Sequence, residues 1–177
     1  MRIENEVTFE DVRDAFLREN DLEDQYNRWG MQAIEIAQEQ FGHWRRVILS
    51  SEDILGVMLP HHSRCGPEIV PASCSTVAAA IERLKLTPED DACRKKIEQV
   101  SRKDASLIFL SARPIDHPQY PEYQALIQRK YQGLTHLDGL HRLLGRGLSG
   151  RSDVVAYVAG LAAGEEADLT GKDQQLR

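Results

Sequence analysis

The sequence predicts an α+β domain in which a small mixed sheet is covered by helices. Four short apolar segments have the length of strands, at 46–49, 106–110, 134–138 and 154–159. The segments between them are longer, and their apolar residues recur every three or four positions, as on one face of a helix. A chain of 177 residues that alternates in this way fits one domain with a sizeable core.

The first 43 residues predict a helical N-terminal extension. Thr8 and Asp11 have the spacing of a helix cap, and a helix is expected near 9–18. A second helix follows and ends at Gly42, with Gly30 as a candidate interruption. We expect this extension to cover the core or to form the surface of a homodimer.

Residues 44–164 predict the α+β domain itself. The strand at 44–49 is followed by a cap pattern at Ser50, a short helix and a long loop over 61–75 that is rich in proline. Two further helices begin at Ser75 and Pro88, and the second runs to about residue 102. The later elements are a strand at 106–110, a helix at 121–132, a strand at 134–138, a helix from Leu140 and a strand at 153–159. Residues 165–177 form a polar tail.

Composition limits the possible partners and location. The formal net charge is -6, and basic residues are scattered among acidic ones, which argues against DNA as a partner. No apolar run is long enough to cross a bilayer, and the first six residues lack the apolar core of a signal peptide. We therefore expect a cytoplasmic protein without a membrane partner.

The three cysteines show no metal or disulfide pattern. Cys65, Cys74 and Cys93 are odd in number and lack Cys-x-x-Cys spacing, so reduced thiols are expected. Cys65 is close to His61 and His62 in the sequence and is a candidate nucleophile, with a structural role as the alternative.

The segment 136–145 carries the strongest functional signal. An alternating strand-like segment ends at Asp138, Gly139 permits a tight turn, and leucines then recur at helical spacing. His141 and Arg142 therefore fall in the first turn of a helix, where unpaired N–H groups and the helix dipole favour an anion. The Arg142 guanidinium adds a planar fork suited to phosphate.

At this segment the chain resembles the ParB and sulfiredoxin superfamily, in which a Gly-x-x-Arg box lies between a strand and a helix. The box here is Gly139, Leu140, His141 and Arg142, and the resemblance continues through a small residue, Gly145, to the last strand. It implies a ParB/sulfiredoxin-like core whose box holds nucleotide phosphates. The family's activities include CTP hydrolysis, nuclease chemistry, free-serine phosphorylation and sulfinic acid reduction.

Single residues narrow the choice within that family. Sulfiredoxins have their reactive cysteine where this chain has Leu140, which argues against their chemistry. ParB partition proteins continue into a DNA-binding domain, and we expect none in the short stretch after the motif. The pattern is closer in character to members that act on small molecules, such as the free serine kinases, and this resemblance implies phosphoryl transfer.

Under this hypothesis the box binds ATP, ADP or CTP with Mg²⁺. Asp138 orients the loop or helps to hold Mg²⁺, while Arg142, His141 and the helix N-terminus neutralise phosphate charge. His136 lies on the same strand face as Asp138 and is a further catalytic candidate. The alternative for both histidines is a hydrogen-bonded packing role.

Two other hypotheses stay open. His136, Asp138 and His141 also form a ligand set suited to non-haem iron or zinc, so a metal-dependent enzyme is one alternative. A non-catalytic binding or regulatory protein that retains the anion pocket is the other.

A second polar group is a candidate substrate-binding region. Arg113, Asp116 and His117 follow a buried strand, and Glu68 lies in the long loop, so a carboxylate base for a small-molecule hydroxyl could come from either place. A local pairing of Arg113 with Asp116 in a turn is the alternative.

Overall fold

The computed structural model describes residues 1–61, 69–70, 74–101 and 107–162. Within them, strands and helices follow one another along the chain, and capping boxes at Thr8 and Ser50 begin two of the helices. The elements are β1 (Arg2–Val7), α1 (Phe9–Glu19), α2 (Gln25–Phe41), β2 (Trp44–Leu49), α3 (Ser51–Gly56), β3 (Met58–Leu59), β4 (Ser75–Thr76), α4 (Val77–Leu86), α5 (Ala92–Ser101), β5 (Ile108–Ser111), α6 (Tyr123–Gln128), β6 (Thr135–Asp138), α7 (Leu140–Leu148) and β7 (Val154–Ala159).

The strands form one mixed sheet of seven strands in the order β1-β2-β7-β5-β6-β3-β4. β7 runs parallel to β5, and β6 runs parallel to β3, whereas the other neighbours are antiparallel. The pairing of β5 with β6 shifts register between Phe109 and Leu110, because Phe109 pairs with Asp138 and Leu110 with His136, so an extra residue lies in β6 as in a β-bulge. Bulges of this kind change the direction of side chains near functional sites.

Helices cover both faces of the sheet. On one face, α1, α2 and the buried Tyr123 of α6 pack against Trp44, Phe109 and Tyr157. On the other face, α3, α4, α5 and α7 pack against strand residues such as Ile108 and Leu110. Phe109 points to the face opposite its two neighbours, as the alternation of a strand requires. The sheet is therefore the middle of three layers.

The predicted α+β architecture with a mixed sheet covered by helices is confirmed. The four predicted strands correspond to β2, β5, β6 and β7, but the sheet is larger than expected because β1, β3 and β4 add to it. The N-terminal region is therefore not purely helical. β1 escaped prediction because its charged residues follow no clear alternation, as an edge strand tolerates.

Several predicted helix boundaries were wrong. α5 begins at Ala92 instead of at Pro88, because the carboxylate of Asp91 accepts hydrogen bonds from the amides of Cys93 and Arg94 and caps the helix there. The helix expected at 121–132 spans only Tyr123–Gln128, and a positive φ of 54° at Lys130 follows its end. α2 continues through Gly30 and ends at Gly42, as predicted for the second glycine.

Some predictions concern residues outside the described ranges, namely His62, Cys65, Glu68 and the tail at 165–177. The division of the chain near residue 43 and the homodimer stay predictions. Among the described residues, no helix combines the length and the apolar character needed to cross a membrane.

Candidate functional site

The turn between β6 and α7 has the predicted form. β6 ends at Asp138, and α7 begins at Leu140. Gly139 joins them with a φ of 96°, in the left-handed region that favours glycine. A Cβ atom at this position would also lie 3.0 Å from Nε of Arg142, so a side chain at residue 139 would disturb both the turn and the arginine.

The N-terminus of α7 opens into a cavity of about 660 Å³. Among the described residues, no side chain caps this helix end, so its first-turn amides have no side-chain acceptor there. Gly139, Leu140, His141 and Arg142 all line the cavity. The strand-to-helix box predicted to bind phosphate is therefore part of the wall of this cavity.

The other walls come from both helical layers. The α1–α2 connection and α2 contribute two amide side chains and an aromatic pair, while α5 contributes Lys96 and Val100. The rings of Tyr26 and Trp29 meet edge to face with centroids 5.1 Å apart. The remaining lining residues are Asn20, Asn27, Gly30, Pro60, His61, Gln119, Tyr120, His136, Leu137 and Asp138. A volume and lining of this kind suit an organic ligand.

Arg142 is held between two carboxylates. Its Nη2 group donates to Asp138, and its Nη1 group donates to Oε2 of Glu19 at 2.7 Å. Glu19 is the last residue of α1, and its carboxylate also accepts from the amide of Leu107 at 3.3 Å. The N-terminal helix is therefore linked to the box arginine by an ion pair that the sequence did not reveal.

Asp138 is a largely buried carboxyl group, with a side chain 19% exposed, in a mixed electrostatic environment. Burial raises its pKa above the ordinary value of 3.8, the Arg142 charge and the Gly139 amide lower it, and the Glu19 charge raises it. The net shift is upward, so the cost of desolvation exceeds the benefit of the arginine. An acid with a raised pKa is a stronger base once ionised, which suits proton transfer.

This upward shift predicts a pH-dependent cost to stability. Because the native state holds the Asp138 proton more tightly than the unfolded state, the ionised group destabilises the fold above its native pKa. We expect Asp138→Asn to be more stable than the wild type at pH 7. The advantage should shrink as the pH falls through the raised pKa and vanish below 3.8, the ordinary value.

Urea unfolding at several pH values measures this difference. Asp14→Asn is the matched control, because Asp14 is an exposed carboxylate of α1 outside the cavity. A wild type that is more stable than Asp138→Asn at pH 7 would contradict the prediction, since it would mean that the pair with Arg142 outweighs burial.

The two predicted catalytic histidines both line the cavity. His136 lies on β6 and is only 6% exposed, and His141 lies in the first turn of α7. Nε2 of His141 is 3.2 Å from Sγ of Cys93, a buried residue of α5. The structure thus brings His136, Asp138 and His141 to one cavity wall.

The metal hypothesis gains no support from this arrangement. Although His136, Asp138 and His141 share the cavity, no group of three or more histidine, cysteine, aspartate or glutamate side chains in the described ranges could hold a metal ion. Iron or zinc binding stays a prediction.

Arg113, Asp116 and His117 of the second polar group do not line the cavity. The Arg113 guanidinium is 5.0 Å from the ring centroid of Phe41, and the Asp116 carboxylate accepts from Gln124 at 2.5 Å. His117 is buried, which lowers its pKa, and its ring lies 5.0 Å from that of Tyr120, a cavity residue. The predicted local pair of Arg113 with Asp116 is absent from the ion pairs of the described residues.

Tyr120 and Tyr123 hold the backbone of β6 in place. The Tyr120 hydroxyl donates to the carbonyl of Leu137 at 3.3 Å, and the Tyr123 hydroxyl donates to that of His136 at 3.3 Å. Burial, followed by the charges of Asp138 and Glu122, raises the pKa of Tyr120, so its hydroxyl keeps its proton at neutral pH. These two residues fix the strand that delivers His136 and Asp138.

Sequence reasoning missed Glu19, Trp29, Lys96 and Cys93. Each comes from a helix far from the box in sequence, so no local spacing connects it with residues 139–142. Lys96 is a basic residue of α5 that lines the cavity, and nothing in the sequence near it indicates that position.

Comparison with known proteins gives a family without an assigned activity. The profile of a family described as "Family of unknown function (DUF6309)" matches residues 1–175. No curated protein and no solved structure matches the chain.

Proposed function

Because the chain belongs to the DUF6309 family, whose function is unknown, we propose its function from the site: it binds a nucleotide or another phosphorylated small molecule in the β6–α7 cavity and transfers a phosphoryl group to a small metabolite. The observation that carries the proposal is the uncapped N-terminus of α7, which opens with Gly139 and Arg142 into the cavity. We also propose a ParB/sulfiredoxin-like core and a cytoplasmic location.

The phosphate would meet three sources of positive potential. The uncapped first turn of α7 lies at the cavity, Lys96 lines it, and Arg142 can exchange its contact with Glu19 for a phosphate oxygen. Helix dipole and fixed cations stabilise the charge of a transferring phosphoryl group without reorganisation.

The rest of the ligand would lie against the aromatic part of the wall. Tyr26 and Trp29 offer ring surfaces, and Asn20 and Asn27 offer amide groups of the kind that recognise ring nitrogens and oxygens. A cavity of about 660 Å³ has room for more than an inorganic anion. These features favour a nucleotide over free phosphate.

Asp138 is the carboxylate among the described lining residues and has two candidate tasks. A Mg²⁺ ion that arrives with a nucleotide supplies positive charge to the phosphates, and an oxygen of Asp138 would help to hold it. Alternatively, the ionised carboxylate takes the proton of the acceptor hydroxyl, a task to which its raised pKa is suited. In either role Asp138 must give up part of its contact with Arg142.

Isothermal titration with ATP, ADP and CTP, each with Mg²⁺, tests the proposal. We expect binding of at least one of them, and weaker binding of the corresponding nucleoside because it lacks the phosphates. An absence of binding for all three nucleotides would reject nucleotide binding. Binding without any turnover of screened small hydroxyl compounds would instead favour a regulatory protein that retains the anion pocket.

The contact of Glu19 with Arg142 predicts that Glu19 competes with the ligand. In Glu19→Gln the negative charge is removed and Arg142 can turn more readily to a phosphate. We expect the affinity for ATP with Mg²⁺ to rise by about five- to tenfold, while the free energy of unfolding changes by no more than about 1 kcal/mol.

Titration calorimetry of this variant beside Glu10→Gln measures the effect. Glu10 is an exposed glutamate of the same helix and does not line the cavity, so its variant controls for the loss of one charge from α1. A lower affinity in Glu19→Gln would show that Glu19 supports the site instead of competing at it.

A further inference from the structure

Helices α5 and α7 pack side by side, run in the same direction and approach very closely. Gly145 of α7 faces the backbone of α5, where a Cβ atom would lie 3.0 Å from the carbonyl oxygen of Ile97 and from the amide nitrogen of Ser101. One helical turn earlier on both helices, Cys93 faces His141. The Cys93–His141 contact is thus part of a tightly packed interface between two helices.

The cysteine has no exposed surface. Cys93 is 0% exposed and belongs to the apolar cluster that also contains Ile97, Leu143 and Leu144. It does not line the cavity, whereas His141 does. The Cys93 thiol is therefore poorly placed to attack a ligand, and its contact with the ligand region passes through the imidazole of His141.

The direction of this contact depends on which nitrogen of His141 carries a proton. Sγ of Cys93 and Nε2 of His141 are 3.2 Å apart, within hydrogen-bond distance for sulfur. A thiolate inside an apolar cluster would lose its hydration, so the neutral thiol is the favoured form. A neutral thiol has a proton to donate, and a neutral imidazole can accept it only at the nitrogen that has none.

We propose that Cys93 is a positioning residue, which donates its S–H to Nε2 of His141 and thereby keeps the ring proton on Nδ1. Phosphate oxygens accept hydrogen bonds, so an imidazole with a fixed N–H is the form that can donate to an anionic ligand without a change of charge. The tautomer is a property of the ligand-free protein. Its consequence for binding rests on the proposed function.

Nuclear magnetic resonance of protein labelled with ¹⁵N in its histidines tests the tautomer directly. The protonated and unprotonated nitrogens of a neutral imidazole give distinct ¹⁵N signals, and loss of one set in His141→Gln assigns the residue. In the wild type we expect the proton on Nδ1. In Cys93→Ala we expect a mixture of the two tautomers, and in Cys93→Ser, whose hydroxyl can still donate, the wild-type pattern.

Cys74→Ala is the matched control, because Cys74 contacts the carbonyl of Glu122 and not a histidine. It should leave the His141 signals unchanged. The proposal is overturned if the wild type carries the proton on Nε2, or if Cys93→Ala keeps the wild-type signals. Once His141→Gln has assigned the signals, the position of the ring proton in the wild type tests the proposal even if Cys93→Ala fails to fold.

Calorimetry separates this inference from the proposed function. If nucleotides bind, Cys93→Ala should weaken the affinity for ATP with Mg²⁺ by about tenfold, and Cys93→Ser should recover most of it. A fixed Nδ1–H tautomer without nucleotide binding would uphold the role of Cys93 and reject the nucleotide. Nucleotide binding with a tautomer that does not depend on Cys93 would support the nucleotide and reject the role of Cys93.

Discussion

Replacing Arg142 with alanine is expected to lower both the stability of the fold and its affinity for an anionic ligand. The arginine is the partner of the largely buried Asp138 carboxylate and also contacts Glu19. Removing one member of a largely buried ion pair leaves the other without compensation, and we expect a loss of about 3 kcal/mol in the free energy of unfolding. The affinity for ATP with Mg²⁺ should fall by about ten- to hundredfold.

A double variant separates the two effects. In Arg142→Ala with Asp138→Asn, the isolated carboxylate is gone, so much of the lost stability should return while the ligand affinity stays low. Arg129→Ala, which changes an exposed arginine just after α6, should alter neither quantity. Urea unfolding and titration calorimetry measure the two quantities. A double variant no more stable than Arg142→Ala would refute the isolated carboxylate as the cause.

The second large effect is expected at Gly145. In Gly145→Ala the new methyl group would lie 3.0 Å from backbone atoms of Ile97 and Ser101, which cannot rotate away as a side chain can. Helices α5 and α7 must then move apart. We expect the free energy of unfolding to fall by about 1 to 3 kcal/mol, and the midpoint of thermal unfolding to fall by about 2 to 4 °C for each kcal/mol lost.

Gly56→Ala provides the control for this variant. Gly56 is also at a helical position, but no atom lies within 4 Å of the place where its Cβ would be. Its replacement should leave stability unchanged or raise it by up to about 1 kcal/mol, through the better helix propensity of alanine. Equal unfolding midpoints for Gly145→Ala and the wild type would mean that α5 adjusts without cost.

Local signals were sufficient to predict the β6–α7 junction. Gly139 has the positive φ that a glycine at such a turn indicates, and α7 begins at the expected Leu140. The caps at Thr8 and Ser50 also form as predicted, because a capping box involves residues only three positions apart. Patterns that depend on a few neighbouring residues can be recognised in a single sequence.

Partners that meet only after folding could not be predicted. Glu19 reaches Arg142 across 123 positions of sequence, and Cys93 reaches His141 across 48. No spacing rule connects residues so far apart, and a free cysteine in an amphipathic helix is indistinguishable from a packing residue. The strands β3 and β4 were missed because each has only two residues. So short a segment cannot show the alternation of apolar and polar residues that indicates a strand.

The cavity has walls from two helical layers that pack on opposite faces of the sheet. Trp29 and Gly30 belong to the α2 layer, whereas Lys96 and Val100 belong to the α5 layer. A ligand that contacts both would connect the two layers directly, in addition to the ion pair of Glu19 with Arg142. Its binding should therefore slow amide hydrogen exchange in α2 and α5 together, although the 50 residues 42–91 separate these helices in the sequence.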